Sequence, residues 1–159
     1  MTKPMLSPDI QEVLQDCPGS YASAVGDDNA PVIARVCGLT VEDADHVRVH
    51  IPQWYSKAFL AALQDRPAMA VVGVQVTTYR TFQLKGEALE DFPSTDADVA
   101  AVESYVAGFG ALIEHVGLDS KRYNPIYAAP PYHTVRLRVD QVFDQTPRVG
   151  AGNLVKERD

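Results

Sequence analysis

The sequence has no long apolar run, little cysteine and no excess of positive charge. None of its 159 residues lies in an uninterrupted apolar stretch of the length a transmembrane helix needs, about 18 residues. The 14 Lys and Arg residues against 21 Asp and Glu give a net charge of −7, which argues against a general nucleic-acid binder because phosphate backbones attract basic surfaces. The two cysteines form no motif and the N-terminal segment lacks the apolar core of a signal peptide, so we expect a cytoplasmic protein with free thiols.

The familiar catalytic and metal-binding motifs are also missing from the sequence. The four histidines have no metal-ligand spacing and no nearby cysteine pair, so we expect no metal site. There is no GxSxG, GxGxxG, P-loop or HExxH motif. The apolar content of 46% and charged content of 22% are those of an ordinary globular protein. We therefore expect residues 1–159 to form a single domain, with residues 146–159 as a charged, frayed C-terminal tail.

Six segments have the composition and alternation of β-strands, and three have helical periodicity. The predicted strands are residues 20–26, 31–41, 46–51, 68–76, 81–90 and 133–143, and the predicted helices are residues 7–17, 58–65 and 97–116. Most connections between the strands have hairpin length, which predicts a mainly antiparallel sheet. Closure into a small barrel would remove its exposed edges. Residues 118–132 are a long irregular segment rich in Pro and Tyr, of the kind that often carries function or an interface.

The segment from residue 46 to residue 86 is the central unit of the sequence, since it runs from strand to helix to two further strands. Where its first strand meets its helix, Ser56 and Lys57 place a hydroxyl and a cation at the helix start. A helix N-terminus offers unpaired N–H groups and a partial positive charge, so this junction is a candidate seat for an anion such as a phosphate. Two alternatives stay open: Ser56 could be an ordinary N-cap, and Lys57 a solvated lysine.

Other polar and aromatic side chains near this unit also allow two interpretations. Trp54 and Tyr55 could form a wall for a ring-shaped ligand, or they could be a hydrophobic staple or a contact between subunits. Thr81, Gln83 and Lys85 must share one face of their strand, where they could hydrogen-bond the edge of a ring or simply meet solvent.

Four segments together resemble the pyridoxamine 5′-phosphate oxidase-like group of flavin-binding split β-barrels. They are SYASAVGDDNAPVIARV, HVRVHIPQWYSKAFLAALQDRP, YRTFQLKGEAL and VFDQTPRVGAG. The resemblance covers roughly residues 7–90 and, more weakly, the last strand. It implies a mainly β fold, a six-stranded antiparallel split β-barrel with flanking helices. It also implies a homodimer that binds FMN at the subunit interface, because a small barrel cannot enclose a flavin alone.

The resemblance also implies a set of cofactor-binding residues and a function. The implied contacts are Arg35, Val36, His50, Ile51, Pro52, Ser56, Lys57, Thr81 and Gln83. Arg35, Ser56 and Lys57 would contact the flavin phosphate, whereas the polar side chains near residue 83 would approach the ring. The sequence departs from the family pattern because Ser56 and Lys57 are adjacent and stand further from the helix-ending Pro67.

The implied activity is that of an FMN-dependent oxidoreductase acting on a small molecule that the sequence does not identify. The alternatives are a non-catalytic flavin-binding or stress-related protein, and the same barrel carrying haem or a deazaflavin. By their position in or beside the long loop, Tyr123, Tyr127, Tyr132 and His133 are the candidates to line a substrate pocket.

Overall fold

The computed structural model of the chain describes residues 4–16, 18–122 and 128–158. Within those residues, three α-helices are complete: α1 (Pro8–Gln15), α2 (Lys57–Asp65) and α3 (Asp96–His115). The strands of the described residues are β1 (Gly19–Val25), β2 (Pro31–Arg35), β3 (Leu39–Val41), β4 (His46–Pro52), β5 (Ala68–Val74), β6 (Thr81–Pro93), β7 (Tyr132–Asp144) and β8 (Asn153–Glu157).

The strands form one antiparallel sheet in the order β2-β1-β5-β6-β7-β4-β3, and β8 pairs with the second half of β7. The sheet is not closed by strand pairing, so the expected closure was wrong in that strict sense. Its two end strands are instead joined by residues 36–38. The Val36 N–H donates to the carbonyl of Ser20 in β1, at 3.2 Å, and the Cys37 N–H donates to the carbonyl of His50 in β4, at 2.8 Å. This short link therefore bonds to both sides of the split barrel.

The predicted fold class, a mainly β antiparallel split barrel with flanking helices, is confirmed, but the predicted number of six strands is wrong. Residues 31–41 form two strands, because the chain changes partners at Gly38, whose φ of 132° few residues other than glycine adopt. The C-terminal tail is not frayed throughout, since β8 pairs with β7 and the Arg158 N–H donates to the carbonyl of Asp140. Strand β6 also continues beyond residue 90 to Pro93.

The core is built from the inward side chains of the strands and the apolar faces of α1 and α2. The central aliphatic residues Val47, Val49, Leu84 and Leu137 are fully buried. Phe59 of α2 belongs to the same cluster, together with the apolar residues of α1. Each such side chain contributes about 1.5–3 kcal/mol through removal of apolar surface from water. The alternation of buried and outward residues leaves a second face of the sheet available for other contacts.

Helix α3 begins with a capping box. The Thr95 hydroxyl accepts from the Asp98 N–H, and the Asp98 carboxylate accepts from the Thr95 N–H. The helix packs on the barrel through a second, smaller cluster that contains Cys37, Val102 and Tyr105. Val116, at the end of the predicted apolar stripe, is exposed. Among the described helices, none has both the length and the apolarity needed to cross a membrane.

Candidate functional site

The outer face of the sheet carries a row of side chains that runs across neighbouring strands. Arg35 pairs with Tyr21, Tyr21 with Val72, Val72 with Gln83, and Gln83 with Phe143. Side chains of directly opposed residues point to the same side of a sheet. Arg35 and Gln83 therefore share this face. Their strands, β2 and β6, are three steps apart in the sheet order, which places the two residues about 14 Å from each other.

Strand β6 presents its polar residues on this outer face, as the sequence predicts. Phe82 and Leu84 are buried in the core, whereas Gln83 is half-buried and Lys85 is exposed. Thr81 shares the face but is buried, and its hydroxyl donates to the carbonyl of Tyr79 at 2.8 Å. A hollow of about 160 Å³ opens beside Gln83, lined by Tyr21, Ala22, Ser23, Ile33, Ala70 and Val72.

Arg35 lies between two aromatic rings. Its guanidinium carbon is 5.1 Å from the centroid of the Tyr21 ring and 5.3 Å from that of Phe109 in α3. The Phe109 ring in turn stacks on Tyr105, with centroids 5.5 Å apart and planes 12° from parallel. The Tyr105 hydroxyl donates to the carbonyl of Pro18 at 2.9 Å. The sequence shows Phe109 as part of an apolar stripe but does not indicate this contact, which depends on where α3 docks.

The start of α2 has the features of an anion seat. Ser56 occupies the N-cap position, as one of the two interpretations expected, but its side chain makes no capping hydrogen bond to the described residues. Its hydroxyl oxygen is buried and has no hydrogen-bond partner within the part of the chain that the structure describes. Lys57 is exposed, and its ammonium nitrogen lies 5.7 Å from the centroid of the Trp54 ring. Helix N–H groups without a side-chain acceptor, a buried hydroxyl and a cation therefore meet at one turn.

The two aromatic residues before α2 are exposed. Trp54 is 61% exposed and Tyr55 is 64% exposed, which does not fit a staple packed within the chain. The Trp54 indole N–H donates to the carbonyl of Pro130 at 3.1 Å, so the ring is held in place although it faces outward. A contact with a ligand ring or with a partner subunit stays open for this pair.

The other predicted contacts near the end of β4 lie inside the protein. The side chains of Val36, His50 and Ile51 are fully buried, and Pro52 is buried as well. The two ring nitrogens of His50 are bonded, Nε2 to the Thr40 hydroxyl at 2.9 Å and Nδ1 to the Thr134 hydroxyl at 3.1 Å.

Burial lowers the pKa of His50 to about 4, because the charged form loses its hydration; nearby Asp98 opposes this shift and Arg48 adds to it. The imidazole is therefore neutral at pH 7. Among the predicted site residues, Arg35 on β2 shares the outer face with Thr81 and Gln83 on β6, whereas Ser56 and Lys57 meet at the start of α2. The backbone of His50 is bonded within the protein, since its N–H donates to the Gly38 carbonyl and its carbonyl accepts from the Cys37 N–H.

Two of the four residues suggested for a substrate pocket can be placed. Tyr132 is half-buried and its hydroxyl donates to the carbonyl of Ala128 at 2.9 Å. The Nε2 atom of His133 lies 2.7 Å from an Asp91 carboxylate oxygen, and the Gln64 amide donates to the other oxygen at 2.6 Å. Tyr123 and Tyr127 lie outside the described residues.

A charged cluster that the sequence did not indicate connects α3 to the sheet. Glu42 accepts from the Nε atoms of Arg48 and Arg136, each at 2.6 Å, and Arg48 also donates to Asp98 at 3.1 Å. Burial by itself would raise the pKa of Glu42, but the bonds from the two arginines lower it below its usual value. The cluster fixes the first turn of α3 against β4. Its charges are satisfied by one another, so it offers no obvious ligand site.

A wide groove on the described surface does not coincide with the predicted site. It has a volume of about 730 Å³ and lies further along the outer face, between Val25, Arg66, Lys85 and Gln141. None of the predicted cofactor contacts lines it.

Within residues 4–16, 18–122 and 128–158, no three His, Cys, Asp or Glu side chains are grouped so as to hold a metal ion. Burial raises the pKa of the Cys37 thiol to about 12, which makes it a poor nucleophile at neutral pH.

Comparisons with known proteins give a fold but no sequence relative. No family model and no curated protein matches the sequence. HupZ of Group A Streptococcus superposes with a TM-score of 0.58 at 11% identity, covering 94% of this chain and 99% of that one. A putative pyridoxamine 5′-phosphate oxidase of Lactobacillus delbrueckii gives a TM-score of 0.56 at 15% identity, covering 90% and 97%. An F420 reductase gives 0.51 at 14% identity, covering 83% and 94%.

These similarities define the class of fold. The chain has the split-barrel fold of pyridoxamine 5′-phosphate oxidase-like proteins, and the resemblance inferred from the sequence is confirmed at that level. With 11–15% identity to these three structures, the likeness shows the fold alone. The cofactor and the reaction must be argued from the site.

Proposed function

We propose that the protein is an FMN-binding flavoprotein of the oxidoreductase class that acts as a homodimer. The observation that carries the proposal is the start of α2, where the buried and unpartnered Ser56 hydroxyl stands beside the exposed Lys57. A phosphate group would satisfy the hydroxyl, the helix N–H groups and the ammonium at once. The putative pyridoxamine 5′-phosphate oxidase among the structures of the same fold supports this choice.

Each proposed contact has a distinct task. Ser56, Lys57 and the first N–H groups of α2 would hold the phosphate, and Arg35 would add a bidentate donor to that anion. Gln83, with Thr81 on the same strand, would hydrogen-bond the edge of the flavin ring. FMN supplies the redox chemistry when bound, whereas these side chains bind and orient it. Val36, His50, Ile51 and Pro52, whose side chains are buried, would support the wall of the site from within the protein.

The homodimer is proposed because the outer face of β1 and β2 exposes large apolar side chains to water. Ile33 is 64% exposed, Tyr21 is 49% exposed and Val25 is 37% exposed, all on the two adjacent strands β1 and β2. A second copy covering this face would remove that surface from water and would also enclose a ligand beside Gln83. The expectation of a cytoplasmic location stays a prediction.

The visible spectrum of the purified protein is the first test, followed by titration of the flavin-free protein with FMN. Loss of a charge-assisted contact costs about 1–3 kcal/mol, so Lys57→Ala and Arg35→Ala should each raise the FMN dissociation constant about 5- to 150-fold. Lys121→Ala is the matched control, because it removes an exposed lysine from a different part of the surface. Wild-type affinity in both site variants, or a colourless protein that takes up no FMN, would refute the proposal.

A second candidate cofactor is a deazaflavin, and it is favoured by the F420 reductase that shares the fold. The anion seat at Ser56 and Lys57 would serve its phosphate group equally well. Titration with F420 in parallel with FMN decides between the two, because the tighter ligand identifies the cofactor.

Reduction of the bound flavin by a nicotinamide cofactor would favour an enzyme, whereas a bound flavin that resists reductants would favour a non-catalytic binding protein. Light scattering during gel filtration tests the dimer separately.

A further inference from the structure

A stacked column of four side chains connects α3 to the proposed phosphate-binding arginine. Tyr105 and Phe109 stack on each other, and Arg35 lies between Phe109 and Tyr21. The far end of the column is fixed, because the Tyr105 hydroxyl bonds to the Pro18 carbonyl. The column therefore runs without interruption from α3 across β2 to β1.

Stacking of this kind determines where an arginine can direct its hydrogen bonds. The guanidinium is flat, its faces are weakly hydrated, and all of its N–H donors lie in the plane of the group. The Tyr21 and Phe109 rings, whose centroids lie 5.1 and 5.3 Å from the guanidinium carbon, restrict the orientation of that plane. Without one of the rings, the long side chain would regain rotamers, and that entropy would have to be lost when an anion binds.

We propose that Phe109 is a positioning residue, which holds Arg35 in the orientation that binds the phosphate of the cofactor. This inference rests on the proposed function and adds α3 to the binding site. Phe109 does not itself touch the anion; it acts by stacking on the arginine. Helix α3 would then affect cofactor affinity through one side chain, although most of the helix lies away from the start of α2.

The test compares two ligands that differ only in the phosphate, FMN and riboflavin. Phe109→Leu keeps an apolar side chain of similar size but removes the ring face. We expect it to weaken FMN binding about five-fold, the range of a single cation–π contact, and to leave riboflavin binding unchanged. Phe109→Tyr keeps the ring and should bind FMN like the wild type. Ile113→Val is the control, since it trims a half-buried residue one turn further along α3 and outside the column.

A merely structural role for Phe109 predicts a different result, namely that both flavins bind more weakly in Phe109→Leu. A double-mutant cycle adds a second criterion: in the Arg35→Ala background, Phe109→Leu should cause no further loss of FMN affinity. Equal losses for the two flavins, or full additivity with Arg35→Ala, would overturn the inference. Thermal unfolding of each variant checks that it is folded.

The failure of this inference can be told apart from failure of the proposed function. If Arg35→Ala weakens FMN binding and Phe109→Leu does not, only the role of Phe109 is refuted. If the wild type binds neither flavin, the proposed function is wrong and the ligand-positioning role is refuted with it. A measurement without ligand tests the stacking by itself. Nuclear magnetic resonance of the Arg35 Nε–H group should show that Phe109→Leu increases the mobility of the Arg35 side chain.

Discussion

Burial of His50 should make the stability of the protein fall between pH 7 and pH 5. The pKa of this imidazole is about 4 in the folded protein, against an ordinary value of 6.5. In the interval between the two values the unfolded chain binds a proton that the folded chain does not, so acidification favours unfolding. The contribution is therefore complete above pH 6.5 and is lost progressively as the pH falls toward 4.

The size of the effect follows from the two pKa values. At pH 5 the linkage relation gives a loss of about 2 kcal/mol relative to pH 7.5. That is a large part of the 5–15 kcal/mol by which a typical domain is stable. Most carboxylates titrate below this interval, so the acidic residues disturb the measurement little.

Urea denaturation followed by circular dichroism at a series of pH values measures this loss. His50→Gln removes the titration while keeping a donor and an acceptor for Thr40 and Thr134, so its stability should change much less between pH 7.5 and pH 5. His115→Gln, at an exposed position on α3, is the control and should keep the wild-type pH dependence. If the His50→Gln curve runs parallel to the wild-type curve, the argument from burial is refuted.

Two further predictions concern the stability of the fold. Gly86→Ala should destabilise the protein by several kcal/mol, because a Cβ there would lie 1.8 Å from the Arg138 carbonyl oxygen; Gly19→Ala, whose nearest neighbour would be 3.9 Å away, should be tolerated, and the urea midpoints of the two variants compare them directly. Thr95→Ala should cost about 1 kcal/mol by removing one half of the capping box of α3, measured as a lower midpoint, whereas Thr95→Ser should keep it; equal losses in both would contradict the capping argument.

Local sequence signals predicted most of the fold, because the structures involved are themselves local. The helical period predicted a helix over residues 97–116, and α3 spans Asp96–His115 with Thr95 and Asp98 forming its cap. The alternation from residue 81 to residue 85 predicted which side chains of β6 face outward. The break at Gly38 was missed because residues 31–41 are apolar almost throughout, and only the change of hydrogen-bonding partner separates β2 from β3.

The candidate site was predictable only in part, since it depends on which elements meet. Adjacent residues such as Ser56 and Lys57 could be predicted to lie together at the start of a helix, which the structure bears out, whereas their role as an anion seat stays a prediction. The contact of Phe109 with Arg35 could not, because it joins positions far apart in the chain through the docking of α3. Likewise, the sequence singled out His50 by its position, whereas its neutrality follows from burial and from Thr40 and Thr134 bonding to both of its ring nitrogens.

The link at residues 36–38 has a consequence for the order in which the chain can fold during synthesis. Both end strands of the sheet, β2 and β3, lie within the first 41 residues, whereas the strands between β1 and β4 in the sheet are made later. The ribosome therefore delivers the two margins of the sheet, already covalently joined, before any of its centre. Strand β1 therefore lacks its second partner until β5 has emerged, whereas β4 lacks its partner in the centre of the sheet until β7, much later in the chain, has emerged.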